Sequence, residues 1–376
     1  MTSSHVDRPA AVRRGEELDL ERLSAYLHRE LPVLAKLPGA SGCRDSARSG
    51  EEIHVSQFPS GFSNLTYLVS IADLEFVLRR PPFGAKIKSA HDMGREFRIL
   101  SALAGSYRKV PKTMIYCADP EVLGAPFYLM ERVEGVVLRP RMAAAEEPDA
   151  GTMAAVADSM VDTLAELHAV DYERAGLADL GRPEGYVWRQ VEGWAKRYAA
   201  AKTDEIAAME ATAAWLLANM PVESGVALIH NDFKYDNLVL DPDDLSRIVA
   251  VLDWEMATLG DPLMDLGTSL GYWVDPDDPP EMLELKLSPT TIPGNPSRLE
   301  VAERYAGATG RSLDHLVFYY VFGLFKIAVI VQQIYARFQR GDTQDPRFAS
   351  LIDGVRLCAL LASQAIAKGR IDRLFG

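Results

Sequence analysis

Three polar side chains lie close together between His230 and Asn237, and each is of a type that phosphoryl transfer uses. Asp232 can accept the proton of an attacking hydroxyl group. Lys234 carries a charge that neutralises a transferring phosphoryl group, and the side-chain oxygen of Asn237 suits Mg²⁺. The stretch opens directly after the apolar run Val226–Ile229. These residue types and spacings favour a catalytic loop.

The same residue types also occur in ordinary turns, because Asn and Asp tolerate unusual backbone angles. A second acidic position favours the catalytic interpretation. Asp253 follows a β-branched run, Ile248–Leu252, so its carboxylate is predicted to lie at a sheet edge. Mg²⁺ prefers one or two carboxylates together with substrate oxygens. We therefore predict that Asn237 and Asp253 bind metal and that Asp232 and Lys234 are catalytic.

The composition is that of an ordinary globular protein. The 376 residues are 48% hydrophobic and 25% charged, and the net charge is -13. This acidic balance argues against non-specific binding to nucleic acid or to an anionic membrane. The three cysteines, Cys43, Cys117 and Cys358, are far apart and lack metal-ligand spacing. Neither a disulfide framework nor a zinc site is therefore predicted.

The N-terminal residues are polar and lack the apolar stretch of a secretory signal, so a cytoplasmic location is expected. One apolar segment, Leu316–Val331, has the composition of a membrane span. It is shorter than the roughly 20 residues that cross a bilayer, and Lys326 interrupts it. We predict a buried core helix for this segment.

Strand patterns dominate the first part of the chain, and helical patterns dominate the rest. Predicted strands cover residues 55–58, 65–71, 76–79, 114–117 and 127–130, with one helix at 90–104. Later helices are predicted at residues 153–168, 188–202, 204–218, 298–306, 313–338 and 347–367, with strands at 239–240 and 248–252. The predicted division is an N-terminal extension and helix (1–35), a nucleotide-binding β-rich lobe (36–130), a hinge (131–136) and a helical lobe (137–376).

Three motifs carry a resemblance to a known family. They are His230-x-Asp232-x-Lys234-x-x-Asn237, then Asp253-Trp254-Glu255 after a strand, then Gly260-Asp261-Pro262-x-x-Asp265. In this order they resemble the aminoglycoside phosphotransferase and choline kinase family, whose fold is similar to that of protein kinases. The chain is most similar to the small-molecule kinase domains that also occur fused to some acyl-CoA dehydrogenases. The resemblance covers roughly residues 50 to 350.

The resemblance implies a two-lobed α+β fold with a small β-rich lobe and a larger helical lobe. It also implies Mg²⁺-dependent transfer of the ATP γ-phosphoryl group to a hydroxyl of a small molecule. Asp232 would orient or deprotonate that hydroxyl, and Asn237 and Asp253 would hold the metal. His230 matches a residue that supports the loop. Asp261 and Asp265 match bracing positions, read here as a helix N-cap and an internal hydrogen-bond acceptor.

The motifs of the small lobe are weaker. A loop with one glycine matches the nucleotide-covering loop; its candidate phosphate-binding residues are Ser60, Gly61, Ser63, Asn64 and Thr66. Arg79 stands where the family has a lysine that holds the α- and β-phosphates, and Glu96 matches its acidic partner. Strand alternation would send Arg80 to the opposite face. The backbone of Glu131 and Val133 matches the hinge that binds the nucleotide base.

The sequence gives the least information about the site that binds the acceptor. One predicted helix carries aromatic and basic residues at helical spacing: Trp188, Arg189, Trp194, Lys196 and Arg197. Its aromatic and basic side chains could bind an anionic or acyl-CoA-like acceptor. Alternatively, the tryptophans belong to the core and the basic side chains face solvent. Tyr272 and Trp273 likewise have two possible positions, in the wall of the acceptor pocket or in the hydrophobic core. An aminoglycoside, a choline-like alcohol, a sugar and a hydroxyacyl compound all remain candidate acceptors.

Two other functions stay open at this point. A non-catalytic nucleotide-binding pseudokinase is favoured by Arg79 and the glycine-poor loop, but the set Asp232, Lys234, Asn237 and Asp253 opposes it. A protein kinase is disfavoured, since no D-F-G or A-P-E segment follows Asp253. The choice between ATP and GTP, and the oligomeric state, are not fixed by the sequence.

Overall fold

The computed structural model describes residues 9–31, 52–58, 64–83, 92–140, 142, 146–285, 288–343 and 346–375. The chain divides into two compact units. The first, which we call the β-rich unit, comprises Met1–Val136 together with Val249–Glu255. The second, the helical unit, comprises Val137–Ile248 and Met256–Gly376.

A five-stranded antiparallel sheet forms the body of the β-rich unit, with strand order β1-β2-β3-β5-β4. Its strands are β1 (Ile53–Gln57), β2 (Leu65–Ile71), β3 (Leu74–Arg80), β4 (Thr113–Cys117) and β5 (Phe127–Glu131). Three helices accompany it: α1 (Leu20–Glu30), α2 (Met93–Leu103) and the short α3 (Pro120–Leu123). The predicted strands all exist, and their ends agree with the prediction to within two residues.

The core of this unit lies between the sheet and α1. Apolar residues of β2 and β3 pack with Leu23 and Leu27, which are fully buried. The ring of Tyr26 meets that of Phe127 edge to face at 5.6 Å. Asp19 begins α1 by accepting a hydrogen bond from the backbone N–H of Arg22, an N-cap that stabilises the first turn.

Residues Val249–Glu255 belong to the β-rich unit, whereas the sequence-based division left them in the helical lobe. The backbone N–H of Val251 donates to the carbonyl of Lys109 at 2.8 Å. The ring of Trp254 packs against Tyr107, with centroids 6.1 Å apart. These contacts join residues far apart in sequence, which explains why local patterns did not reveal them.

The helical unit contains most of the helices of the chain. They are α4 (Ala150–His168), α5 (Tyr186–Ala201), α6 (Ala207–Ala218), α7 (Pro262–Gly271), α8 (Pro280–Leu285), α9 (Arg298–Thr309), α10 (Leu316–Gln339) and α11 (Leu351–Lys368). Its short strands are β6 (Ala227–Ile229), β7 (Leu238–Leu240) and β9 (Thr258–Gly260); β8 (Ile248–Val251) leads from this unit into the other. Strands β6 and β9 pair antiparallel.

Helix α10 is the central helix of this unit and packs against α5, α6, α7 and α11. The predicted burial is confirmed, and the helix predicted at residues 313–338 is present, with 24 residues and ends that differ from the prediction by three residues and by one. Past its apolar part, the helix carries the buried Gln332, whose side-chain nitrogen is hydrogen-bonded inside the protein. The Gln332 side-chain amide donates to Thr203 Oγ1 at 2.9 Å and to the carbonyl of Ala201 at 3.1 Å.

By length and hydropathy alone, two segments of the described chain are able to cross a membrane: Leu316–Gln339 and Pro346–Lys368. In the first, 72% of the apolar window is buried inside the protein, and in the second 39%. Core helices of globular proteins pass the same test.

Two glycines allow α7 and α10 to approach closely. A Cβ atom added at Gly267 would lie 2.1 Å from the carbonyl oxygen of Tyr319. One added at Gly323 would lie 2.0 Å from the carbonyl oxygen of Gly267. Because backbone atoms cannot move aside cheaply, these positions require glycine.

Gly267→Ala is therefore expected to lower the free energy of unfolding by about 1–3 kcal/mol, as overpacking of a core does. Gly307→Ala is the matched control, because it is also helical but a Cβ there has no atom within 4 Å. This control is expected to be neutral or stabilising by up to about 1 kcal/mol. Urea unfolding of both variants tests the pair, and equal effects would contradict the close approach.

Candidate active site

Asp232, Lys234 and Asn237 form one hydrogen-bonded cluster in the helical unit. Lys234 Nζ donates to both carboxylate oxygens of Asp232, at 3.0 and 2.9 Å. Asn237 Nδ2 donates to the backbone carbonyl of Asp232 at 2.8 Å and to its carboxylate at 3.0 Å. The structure thus brings together the three residues that the sequence assigned to this loop. Both bonds of Asn237 use its nitrogen, so Oδ1 is the atom that suits a metal ion.

Lys234 lies 4.5 Å above the ring of Tyr272. Burial acts to lower the pKa of Lys234, but neighbouring Tyr272 and Asp232 outweigh it, and the pKa is raised. The lysine therefore stays protonated at neutral pH and offers a fixed positive charge. Tyr272 contacts the catalytic cluster, whereas Trp273 is buried and donates to the carbonyl of Pro296 at 2.9 Å.

A buried carboxylate holds the backbone just before Asp232. Asp265 Oδ2 accepts from the N–H of His230 at 2.6 Å, and Oδ1 accepts from the N–H of Asn231 at 2.7 Å. His168 Nε2 lies 3.1 Å from the same carboxylate. Burial favours the protonated acid, but the hydrogen bonds from His168 and His230 hold the pKa of Asp265 below its ordinary value. The predicted role of Asp265 as an internal acceptor is confirmed.

The other predicted supports also appear in the structure. Asp261 is the N-cap of α7 and accepts from the N–H of Leu263, so this prediction is confirmed. His230 is fully buried and accepts from the N–H of Asp232 through Nδ1 at 3.3 Å. His230 therefore supports the loop, as the sequence suggested.

Lys326 is a buried cation beside this loop. Its Nζ donates to the backbone carbonyl of Asn231 at 2.7 Å. Asn231 has a positive φ of 67°, a left-handed conformation that carries strain in most residues. Burial lowers the pKa of Lys326 to about 8, although Asp265 and Asp232 act to raise it. Sequence analysis found the lysine by its place in an apolar helix, but not its partner.

Arg79 is the centre of a charged cluster in the β-rich unit. Its Nη1 lies 3.0 Å from Glu96 Oε1, and its Nη2 lies 2.9 Å from Asp253 Oδ1 and 3.6 Å from Glu255 Oε2. The predicted pairing of Arg79 with Glu96 is present, and Glu96 is buried. Asp253 has a positive φ of 67° and a partly exposed side chain. Arg80 stacks over the ring of Phe83 at 3.6 Å.

Burial and neighbouring charges shift the pKa values of Arg79 and Glu96. Burial acts to lower the pKa of Arg79, yet Glu96, Tyr128 and Asp253 raise it well above its ordinary value. Burial raises the pKa of Glu96, against the effect of Arg79. The guanidinium is therefore a permanent cation held between acidic groups.

Of the predicted nucleotide-covering residues, Ser60, Gly61 and Ser63 lie outside the described part of the chain. Asn64 is buried, and its side-chain nitrogen donates to Glu255 Oε2 at 2.6 Å. Thr66 lies opposite Arg79 in the β2–β3 register. Sequence reasoning missed Glu255 as a partner, since 191 residues separate it from Asn64.

The backbone contact of the predicted hinge with a nucleotide base stays a prediction, and one backbone atom of Glu131 is engaged within the protein. The backbone N–H of Glu131 donates to the carbonyl of Lys112 at 2.8 Å, and Glu131 Oε1 accepts from the N–H of Lys112 at 2.8 Å. The N–H of Glu131 is thus used within the sheet and does not offer a donor to a base. Val133 follows the end of β5 and is half-buried.

A cavity of about 350 Å³ opens in the helical unit beside Asn231, the residue before Asp232. Trp194 of α5 and Lys326 of α10 are among its walls. Trp188, by contrast, is 52% exposed and does not line it. The tryptophans of α5 therefore differ: one belongs to a cavity and the other faces solvent.

Within the described residues, no three His, Cys, Asp or Glu side chains group together as a metal site. Mg²⁺ seldom uses such an all-protein cage, because it keeps waters and binds substrate phosphates. Asn237 and Asp253 carry hard oxygen donors of the type that this ion prefers, and their assignment to the metal stays a prediction.

Comparison with known proteins shows which family and which solved structures this chain is similar to. Residues 54–299 match the model of the phosphotransferase enzyme family. Acyl-CoA dehydrogenase family member 11 of Gallus gallus is 33% identical over 97% of the chain, which covers 46% of that protein. The chain spans less than half the length of the curated relatives that it matches.

Solved structures share the fold. A Ralstonia eutropha protein, described provisionally as an aminoglycoside phosphotransferase, has a TM-score of 0.73 and 30% identity, covering 91% of this chain and 96% of its own. Choline kinase of Cryptosporidium parvum has a TM-score of 0.62 and 12% identity, covering 95% and 100%. The predicted fold class and family resemblance are confirmed. The chain belongs to the phosphotransferase enzyme family.

Proposed function

We propose that the protein transfers the γ-phosphoryl group of ATP to a hydroxyl group of a small molecule, with Mg²⁺. The observation that carries this proposal is the cluster of Asp232, Lys234 and Asn237. It combines a carboxylate, a permanent cation and an amide oxygen within one short loop. Phosphoryl transfer depends mainly on positioning and electrostatics, and this cluster provides both.

In the proposed reaction the acceptor oxygen forms a bond to the γ-phosphorus, and the bond from that phosphorus to the β–γ bridging oxygen breaks. ADP leaves, and the proton of the hydroxyl passes to the carboxylate of Asp232. Lys234 contacts that carboxylate, and its charge stabilises the negative charge on the transferring group. In the complex with substrate, the phosphoryl oxygens compete with Asp232 for this lysine.

Nucleotide binding is proposed for the β-rich unit. Arg79, fixed by Glu96 and Asp253, offers a charged fork to the phosphates of the nucleotide. Asn237 and Asp253 would hold Mg²⁺, which supplies charge neutralisation on the phosphates when bound. The loop with Ser60, Gly61 and Ser63 is proposed to cover the phosphates, together with Asn64.

A screen of phosphoryl acceptors tests the proposal. Purified protein is incubated with ATP or GTP labelled at the γ-phosphate, Mg²⁺ and a metabolite extract, and labelled products are separated. We expect a labelled small molecule that disappears with EDTA and with Asp232→Asn. If ATP binds but no acceptor is labelled, the pseudokinase alternative replaces this proposal. If a generic protein is labelled instead, the enzyme is a protein kinase.

A further inference from the structure

The cavity beside Asn231 has an unusual charge for this protein. Four cationic side chains line it, Arg182, Arg189, Arg197 and Lys326, and none of its lining residues is acidic. The whole chain has a net charge of -13. A concave surface with one sign of charge concentrates ligands of the opposite sign. The sign here is opposite to that of the protein as a whole.

These cations have no carboxylate partner among the residues that the structure describes. Arg189 donates to the backbone carbonyls of Arg182 and Glu184. Arg197 lies over the ring of Trp194 at 4.7 Å, and Lys326 donates to the carbonyl of Asn231. The direct contacts of these three side chains are thus neutral carbonyls and a ring, and Asp265 and Asp232 act on Lys326 only at a distance.

Elsewhere in the same unit, carboxylates neutralise two other arginines, Arg298 and Arg304. Arg298 is buried and lies 3.1 Å from Asp275 and 2.7 Å from Asp278. Arg304 lies 3.1 Å from Asp158 and 2.8 Å from Asp162. Carboxylates are therefore abundant in this unit, yet they do not line the cavity.

A solvated basic face explains only part of this arrangement. Arg182 and Arg197 are exposed, so water solvates their charges. Lys326 is only 2% exposed, so water does not solvate its charge. A buried cation without a carboxylate is costly unless a ligand or its environment compensates it. An anionic ligand in the cavity would supply that compensation.

We propose that the cavity binds the anionic group, a carboxylate or a phosphate, of the molecule whose hydroxyl is phosphorylated. The inference rests on the proposed function, because Asn231 in the cavity wall directly precedes the base Asp232. Arg189, Arg197 and Lys326 bind the anion, and the hydroxyl of the same molecule reaches Asp232. Cationic acceptors such as amino alcohols and aminoglycosides are repelled by the same charges.

Equilibrium binding to the full chain tests this assignment without requiring turnover. Four matched series of graded chain length are compared: hydroxycarboxylates, hydroxyamides, amino alcohols and monophosphates of diols. We expect at least one carboxylate or phosphate to bind about tenfold more tightly than its amide, since a charge-assisted hydrogen bond is lost. Tighter binding of the carboxylate or of the phosphate identifies the source of the charge.

Arg197→Gln is expected to weaken binding of the anion about tenfold. Lys196→Gln is the matched control, because Lys196 is on the same helix but pairs with Glu192 at 2.9 Å and does not line the cavity. Arg182→Gln repeats the test at a second exposed cation. Amides or amino alcohols that bind as tightly as the anions would overturn the inference, as would equal losses in Arg197→Gln and Lys196→Gln.

The failure of this inference is distinct from the failure of the proposed function. Phosphorylation of cationic alcohols alone would keep the kinase activity and reject the anionic acceptor. Tight, Arg197-dependent binding of an anion without phosphoryl transfer to any acceptor would keep the anion site and reject the proposed reaction.

Discussion

Asp232→Asn is expected to lower kcat for acceptor phosphorylation by about 100- to 10,000-fold, the usual contribution of a positioned acid or base. Asparagine has the same shape as aspartate, and its Oδ1 still accepts a hydrogen bond from Lys234. The change removes the group that takes the hydroxyl proton and the charge that pairs with Lys234. We expect KM for ATP to change little, since Asp232 contacts the acceptor and not the nucleotide in the proposed reaction.

Asp236→Asn is the matched control for this prediction. It removes one negative charge from the turn Tyr235–Asn237, four residues from the proposed base. Steady-state rates at saturating ATP and acceptor compare the two variants, and circular dichroism checks their folding. If Asp232→Asn keeps more than about a tenth of the wild-type rate, the carboxylate is not the base, because such catalysis contributes at least 100-fold.

Local patterns were sufficient to predict much of the fold and part of the candidate site. Strand β2 alternates and is β-branched, so its predicted bounds, 65–71, equal those observed. Asp232, Lys234 and Asn237 lie within six residues of one another, so sequence spacing alone brings them together. Strands β6 and β9 have three residues each, too few to show a period, and were missed; β7, equally short, was predicted beside the turn at residues 241–244.

Local patterns could not predict contacts between residues that are far apart in the sequence. Lys326 and Asn231 are 95 residues apart, and nothing in either neighbourhood specifies the other. Asp253 was predicted at a strand end, yet its contact with Arg79 spans 174 residues. Helix and strand periods report which face of an element is buried, but not what covers that face. The cavity with its four cations therefore became visible only in the folded chain.

Arg79→Met is expected to lower the free energy of unfolding by about 3–5 kcal/mol, because it leaves a buried carboxylate without its partner. Glu96 is 1% exposed and would lose its ion pair. Arg80→Met is the matched control: Arg80 is adjacent and also buried, but stacks on Phe83 and pairs with no acid among the described residues. Urea unfolding of both variants measures the difference, and equal losses would contradict the importance of the ion pair.

The double variant Arg79→Met/Glu96→Gln separates the structural role of Arg79 from its proposed role in nucleotide binding. Removing the buried negative charge is expected to restore part of the lost stability, since a neutral pair costs less to bury than a lone carboxylate. Affinity for Mg·ATP is expected to stay low in the double variant, because the guanidinium proposed to bind the nucleotide phosphates is then absent. Recovery of both stability and ATP affinity would show that Arg79 only fixes the fold of the β-rich unit. Recovery of stability alone would identify its guanidinium as a phosphate ligand, in place of the family's lysine.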